Sequence, residues 1–214
     1  SEQSIPATAG VYTYYVSQTI NGVESALVPY TVTIKPQKPI IADITSCQND
    51  VPVALTATGT ALQWYTVSTS GTATSTAPTP STGTATTTTY YITQTVNGVE
   101  SDRMALLVTI NPTPALSNIQ LNDICSGNTF TYDPLQNLSP TSIINSNTIL
   151  NWTITPNLNV SGQTEYNGLN NSVISQTLIN LTDVVQTLTY NVTAIDTTSG
   201  CESDVFTVSI NVQP

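Results

Sequence analysis

Apolar and polar residues alternate from Tyr12 to Ile20, with Tyr12, Tyr14, Val16 and Ile20 set against Thr13, Tyr15, Ser17 and Thr19. That is the period of a half-buried strand. Asn21-Gly22 follows, and because both central residues of a type I′ turn need positive φ, the pair predicts a tight hairpin. The returning strand places Val28, Tyr30, Val32 and Ile34 on one face and stops at Pro36. Tyr90 to Pro112 repeats Tyr14 to Pro36 at a constant offset of 76 residues, so that Asn-Gly-Val-Glu-Ser stands at Asn21 to Ser25 and again at Asn97 to Ser101. Gly200 to Pro214 repeats Gly22 to Pro36 at an offset of 178. The inward set becomes Met104, Leu106, Val108 and Ile110, then Phe206, Val208, Ile210 and Val212. No segment has a helical period. The pattern predicts an all-β chain of tandem antiparallel β-sandwich modules in an elongated array.

Three modules follow from the repeat: residues 1–36, the C-terminal part of a truncated module; residues 37–112, a complete module; and residues 113–214, a larger one. In the second, Val51, Val53, Leu55 and Ala57 alternate as one strand and Leu62 to Val67 forms the next around Trp64. Gly71 to Thr89 is almost entirely Thr, Ser, Ala, Pro and Gly, and reads as short edge strands and loops. In the third, Cys125 leads into Phe130 and Tyr132, and Leu150 to Ile154 surrounds Trp152. Val173 to Leu181 and Leu188 to Ala194 supply two further strands. Trp64 and Trp152 are the expected central core aromatics. Proline-bearing linkers at Pro36 to Pro39 and Pro112 to Pro114 predict a semi-rigid string.

Charge narrows the function. Three cations against 13 acids give a net charge of -10, which repels nucleic-acid phosphates and anionic lipid, so no nucleic-acid partner is expected. No run approaches the roughly 20 apolar residues that span a bilayer as a helix. There is no His, which removes Ser-His and Cys-His nucleophilic pairs and the commonest nitrogen ligand of zinc. Carboxylates for glycoside hydrolysis could be drawn from Glu100, Asp102, Glu202 and Asp204, but Glu100 and Glu202 recur at one position beside a turn, which points to a structural role. No calcium loop of alternating Asp residues occurs. The expectation is a chain without enzymatic activity, cofactor or metal. Outward Tyr15 and Tyr91 could stack on sugar rings, although cross-strand packing explains them more simply.

Three cysteines cannot pair completely within the chain. Cys201 occupies the slot of Val23 and Val99, while Cys47 and Cys125 lie near the starts of their modules. The expected disulfide is Cys125 to Cys201, leaving Cys47 as the unpaired thiol; three free buried thiols are the alternative. A disulfide implies an oxidising compartment.

Thr88-Thr89-Tyr90-Tyr91-Ile92-Thr93-Gln94-Thr95-Val96-Asn97-Gly98-Val99-Glu100-Ser101 resembles the signature of immunoglobulin-like repeats in giant surface adhesins of gliding Bacteroidetes, the SprB-like gliding-motility adhesins. In that signature Cys usually stands where this chain has Val23 and Val99. Residues 113–214 resemble the PKD-like repeats of the same proteins through Cys125-Ser126-Gly127, Trp152 and Gly200-Cys201-Glu202-Ser203. The resemblance implies immunoglobulin-like and PKD-like sandwiches in a protein exported by type IX secretion. It further implies an extracellular place on the cell surface, with outer-membrane association only through the parent protein. The implied work is reach, attachment and gliding. Implied partners are neighbouring repeats and polysaccharide or solid surfaces. Asp196-Thr197-Thr198 also resembles the O-glycosylation site of that phylum, at Thr197. A carbohydrate-binding module and an accessory region of a larger secreted enzyme are the alternatives.

Overall fold

The computed structural model describes residues 6–137, 142–168 and 170–214. The chain divides into two compact units, one holding residues up to 46 together with 50–110, the other holding 47–49 together with 111–214.

In the first unit, β1 (Gly10–Val16) and β4 (Val28–Ile34) pair antiparallel with Tyr14 opposite Tyr30 and Val16 opposite Val28. Between them β2 (Thr19–Ile20) and β3 (Val23–Glu24) form a short hairpin whose turn residues Asn21 and Gly22 take φ of 51° and 81°. The unit continues with β5 (Ile44–Cys47), β6 (Gln63–Tyr65), β7 (Thr86–Thr93), β8 (Thr95–Val96), β9 (Val99–Glu100) and β10 (Met104–Asn111). Four of these make one sheet in the order β5-β10-β7-β6. β8 and β9 pair across Asn97-Gly98, again with φ of 50° and 75°. The β7–β10 register is that of β1–β4 moved by 76 residues, with Tyr90 opposite Leu106 and Ile92 opposite Met104. Leu106, Val108, Ile110, Ile92 and Trp64 point to one face, and Leu55 and Ala57 pack on it from outside the sheet.

Two expected strands change. Val51 to Ala57 is not a strand: Val51 and Val53 face solvent, and only Leu55 is buried, with its amide donating to the Pro78 carbonyl at 2.8 Å. Pro78 and Pro80 on the facing stretch lack N–H groups, so a ladder cannot propagate there. The strand around Trp64 contracts to Gln63–Tyr65, and the carbonyls of Val67 and Ser70 turn instead to the Arg103 guanidinium.

The second unit contains β11 (Ile119–Gln120), β12 (Ile124–Cys125), β13 (Thr129–Tyr132), β14 (Thr148–Ile154), β15 (Val160–Ser161), β16 (Ile174–Thr177), β17 (Ile179–Asn180), β18 (Gln186–Asp196) and β19 (Phe206–Gln213). One layer runs β11-β19-β18-β14, with β12 also on β19; β11 and β12 are parallel to β19, unlike the antiparallel pairs around them. β13–β16 and β15–β17 are further antiparallel pairs. Strict alternation along β18 and β19 buries Leu188, Tyr190, Val192, Ala194, Phe206, Val208, Ile210 and Val212. Phe130 and Tyr132 of β13 meet them, with Phe130 against Tyr190 at 5.5 Å and Tyr132 against Phe206 at 6.2 Å. Two apolar faces meeting in this way make a β-sandwich.

Among the described residues, the buried polar side-chain atoms inside that sandwich have hydrogen-bond partners. Tyr190 donates its hydroxyl to Gln176 Oε1 at 2.8 Å, Gln176 Nε2 donates to the Thr164 carbonyl, and Trp152 Nε1 donates to the same carbonyl. The expected strand from Val173 to Leu181 breaks at Leu178, which is buried. Gly162 lies beside that break at φ 91°, where an added Cβ would stand 2.0 Å from the Thr177 carbonyl oxygen.

The disulfide is Cys47–Cys201, with Cα atoms 5.6 Å apart, and not the expected Cys125–Cys201 pair. Cys125 is the exposed free thiol, so the expected roles of Cys47 and Cys125 are exchanged. The reason is strand direction. Cys125 lies beside Gln213, at the far end of β19, whereas Cys201 lies in the turn that precedes Phe206 at its start. At roughly 3.3 Å per residue, that strand separates the two by over about 20 Å, while a disulfide needs Cα atoms within about 7 Å.

Candidate functional site

The repeated Glu-Ser pair beside each hairpin is a backbone device. Ser101 Oγ accepts from the Gln94 amide at 3.1 Å and donates to the Asp102 carbonyl at 3.0 Å, while the Ser101 amide donates to the Gln94 carbonyl at 2.9 Å. Ser25 makes the same bonds with Gln18 and the Ala26 carbonyl, and Ser203 makes them with Ala194 and the Asp204 carbonyl. Where a strand leaves the ladder to enter a hairpin, its amide loses a partner, and the serine hydroxyl replaces it. In the first two copies the glutamate before it is tied as well. Glu100 Oε1 accepts from Thr93 Oγ1 at 2.6 Å and from the Tyr65 hydroxyl at 2.5 Å, and Glu24 accepts from Ser17.

Around Glu100 the first unit builds a polar cluster. Cross-strand pairing sets Tyr65 opposite Tyr91. The Arg103 guanidinium lies 3.6 Å from the centre of the Tyr65 ring and donates to the carbonyls of Val67 and Ser70 at 2.5 and 2.6 Å. Such a cation over an aromatic face is attracted by the ring quadrupole. A groove of about 350 Å³ runs past these groups, lined also by Ser68, Thr69 and Asp102. The Thr93 hydroxyl holds the Glu100 carboxyl below its ordinary range, with help from Tyr65 and against some desolvation. The same carboxylate, with burial, pushes the Tyr65 phenol up. Asp102 is lowered by Lys35, which donates to it at 2.5 Å.

Glu100 and Asp102 are thus each held in a contact with a visible structural purpose. Nothing in the sequence marked Tyr65 or Arg103, because the pairing of Tyr65 with the 99–103 segment depends on how β6 registers against β7. Trp64 and Trp152 are both buried, and Trp152 stacks on Tyr166 at 5.1 Å. Tyr15 is exposed on β1 and Tyr91 is half-buried on β7 beside Tyr65; each lies in a different sheet. Thr197 is exposed, but its hydroxyl donates to the Asn147 carbonyl at 2.9 Å and its amide to the same oxygen at 3.1 Å. Asp196 accepts from the Thr198 amide at 2.9 Å. Burial opposes ionisation of Asp196, yet the bonds from Thr198, Asn145 and Ser199 prevail and hold its pKa below the ordinary value. Among the described residues, no group of three or more His, Cys, Asp and Glu is placed to hold a metal ion.

These geometries belong to successive immunoglobulin-type sandwiches. Residues 36–112 match the family described as Ig-like domain CHU_C associated, and residues 121–214 match the PKD-like domain family. The chain therefore carries an Ig-like domain followed by a PKD-like domain. No curated protein matches the chain. Among solved structures, the chain is similar to an endo-fucoidan hydrolase, MfFcnA4 of glycoside hydrolase family 107, at 12% identity and a TM-score of 0.26 over 97% of this chain; it spans only 34% of that protein's length. It is also similar to the D00-D0 domain of intimin, at 11% identity and a TM-score of 0.33, covering 80% of this chain and 98% of that one. A third similarity is to the FN1-FN3 domains of chicken CNTN1, at 10% identity and a TM-score of 0.33, covering 95% of this chain and 75% of that one.

Proposed function

We propose that this chain is a structural repeat segment of a secreted cell-surface adhesin, extending and displaying its parent protein for surface attachment and gliding motility. The observation that carries the reading is the threefold hairpin with its serine clasp, recurring at Ser25, Ser101 and Ser203 across an Ig-like and a PKD-like domain. A device repeated at domain spacing favours a load-bearing array, in which each module adds length and its own stability. The Cys47–Cys201 disulfide supports an extracellular setting, where such bonds persist. The Glu24, Glu100 and Asp102 carboxylates near the first two turns are held by hydroxyls and by Lys35, which supports a role without catalysis. Neighbouring repeats and polysaccharide or solid surfaces are the partners this reading names.

Antibodies raised against the chain test it. They are expected to label intact producing cells, and their Fab fragments are expected to reduce attachment and gliding. Labelling only after the cells are broken open would overturn the surface assignment. Binding of the isolated chain to a defined sugar on a glycan array would move the reading to a carbohydrate-binding module.

A further inference from the structure

The two hairpin sheets of the first unit have the same register and opposite surroundings. Ile92 and Leu106 are 0% exposed, yet their counterparts 76 residues earlier, Val16 and Tyr30, are 58% and 64% exposed. Val28, the counterpart of Met104, is 58% exposed on the same face. In residues 37–112 the apolar face is completed in two ways. β6 adds to the free edge of β7, with Trp64 opposite Ile92 and Tyr65 opposite Tyr91, and Leu55 and Ala57 lie over the face. Among the described residues β1 pairs only with β4. Its outer edge at Tyr15 and Val16 and the face below it are therefore bare together, at the very positions that β6 and its layer occupy in the next copy.

We propose that the β1–β4 face is a docking surface for a tryptophan-bearing half-sandwich of the type that residues 37–76 supply, adding one strand to the edge of β1 with a large aromatic residue opposite Val16. Edge addition supplies main-chain hydrogen bonds, and the apolar second layer removes the face from water. An exposed apolar patch of this kind on a soluble sheet marks an interaction surface. Tyr15 takes on a specific meaning here. It is the counterpart of Tyr91, whose cross-strand partner is Tyr65, so its exposure is that of an unfilled protein contact and not of a sugar platform. The inference rests on the internal repeat and is independent of the adhesin reading.

The test is a chimera in which residues 37–76 are copied directly ahead of Ser1, restoring the spacing of residues 37–112. Hydrogen exchange at the amides of Tyr15 to Ser17 and Val28 to Val32 is expected to slow at least about tenfold relative to the unmodified chain. Trp64→Gly in the added copy alone is expected to abolish that slowing. A chimera whose β1 amides exchange as fast as before, with the added tryptophan fluorescing as in water, overturns the proposal; so does slowing that survives Trp64→Gly. Val16→Asp gives a second reading in the unmodified chain. If the face is vacant there, the substitution leaves Tm unchanged, whereas Ile92→Asp lowers it sharply. Equal losses, or self-association that Val16→Asp disrupts, would show that the face is already covered by this chain or by a second copy, and would also overturn it.

Discussion

Ser203 Oγ accepts the Ala194 amide at 2.9 Å inside the second unit, whereas the equivalent bond from the Gln18 amide to Ser25 lies in the open. The same geometry should therefore carry different weight. Ser203→Ala leaves a buried N–H unpaired and is expected to cost about 1–3 kcal/mol, read as a lower urea midpoint. Ser25→Ala leaves the Gln18 amide to water and is expected to cost under about 0.5 kcal/mol. Equal costs at the two sites would mean that the clasp acts through local turn geometry and not through burial.

The Cys47–Cys201 bond encloses a sequence separation of 154 residues. Loop-closure entropy assigns such a crosslink a stabilisation of up to about 5 kcal/mol, against the unfolded chain. Cys47→Ala and Cys201→Ala should each lower the thermal midpoint, and the double variant should do no more than either single one. Mass spectrometry without reduction should find one peptide joining Cys47 to Cys201 and an alkylated Cys125. A Cys125–Cys201 peptide would restore the pairing expected from the repeat.

Much of the fold was legible because alternation and repetition are local signals. The hairpins at Asn21-Gly22 and Asn97-Gly98 and the buried faces of β10 and β19 are written in residues that touch one another in sequence. What was not legible depended on direction and on long-range pairing. Cys47 and Cys125 occupy similar places near the starts of their modules, but only tertiary placement says which lies by the turn of Cys201. Likewise, the alternation at Val51, Val53 and Leu55 met a strand's pattern without a partner able to donate. The Tyr65–Arg103 contact was silent for the same reason, since it joins residues brought together by sheet order.

Arg103 binds the Val67 and Ser70 carbonyls while lying on Tyr65, so it fixes the 66–71 loop by two hydrogen bonds and ties it to the end of β6. Arg103→Ala should leave the core intact, cost about 0.5–1 kcal/mol, and make the loop the first site of limited proteolysis. Arg103→Lys keeps charge but loses the planar fork, and should restore little. Acid should weaken the neighbouring cluster too. Glu100 has a depressed pKa in the folded state, so its contribution is present above its ordinary value of 4.5 and fades as pH falls through the lower folded value. Glu100→Gln should flatten that part of the acid stability profile.

Alkaline pH should act on the second unit through its buried phenols. Burial pushes Tyr132 up to about 12 and Tyr190 further still, from an ordinary value of 10.0. In the unfolded chain these groups lose their protons first, so the native state binds more protons above pH 10 and stability falls as pH rises. The Tyr190 hydroxyl adds a second reason, because its proton is held by Gln176 Oε1 and ionisation would leave two acceptors facing each other. Absorbance titration should therefore show a late, cooperative step that coincides with loss of the near-ultraviolet circular dichroism. Tyr190→Phe removes the ionisable group and leaves Gln176 Oε1 with the Thr164 amide as a donor at 3.0 Å. That variant should lose some stability at neutral pH yet retain more of it toward high pH, so the two denaturation curves converge. Curves that stay parallel across the alkaline range would show that Tyr190 does not drive the transition.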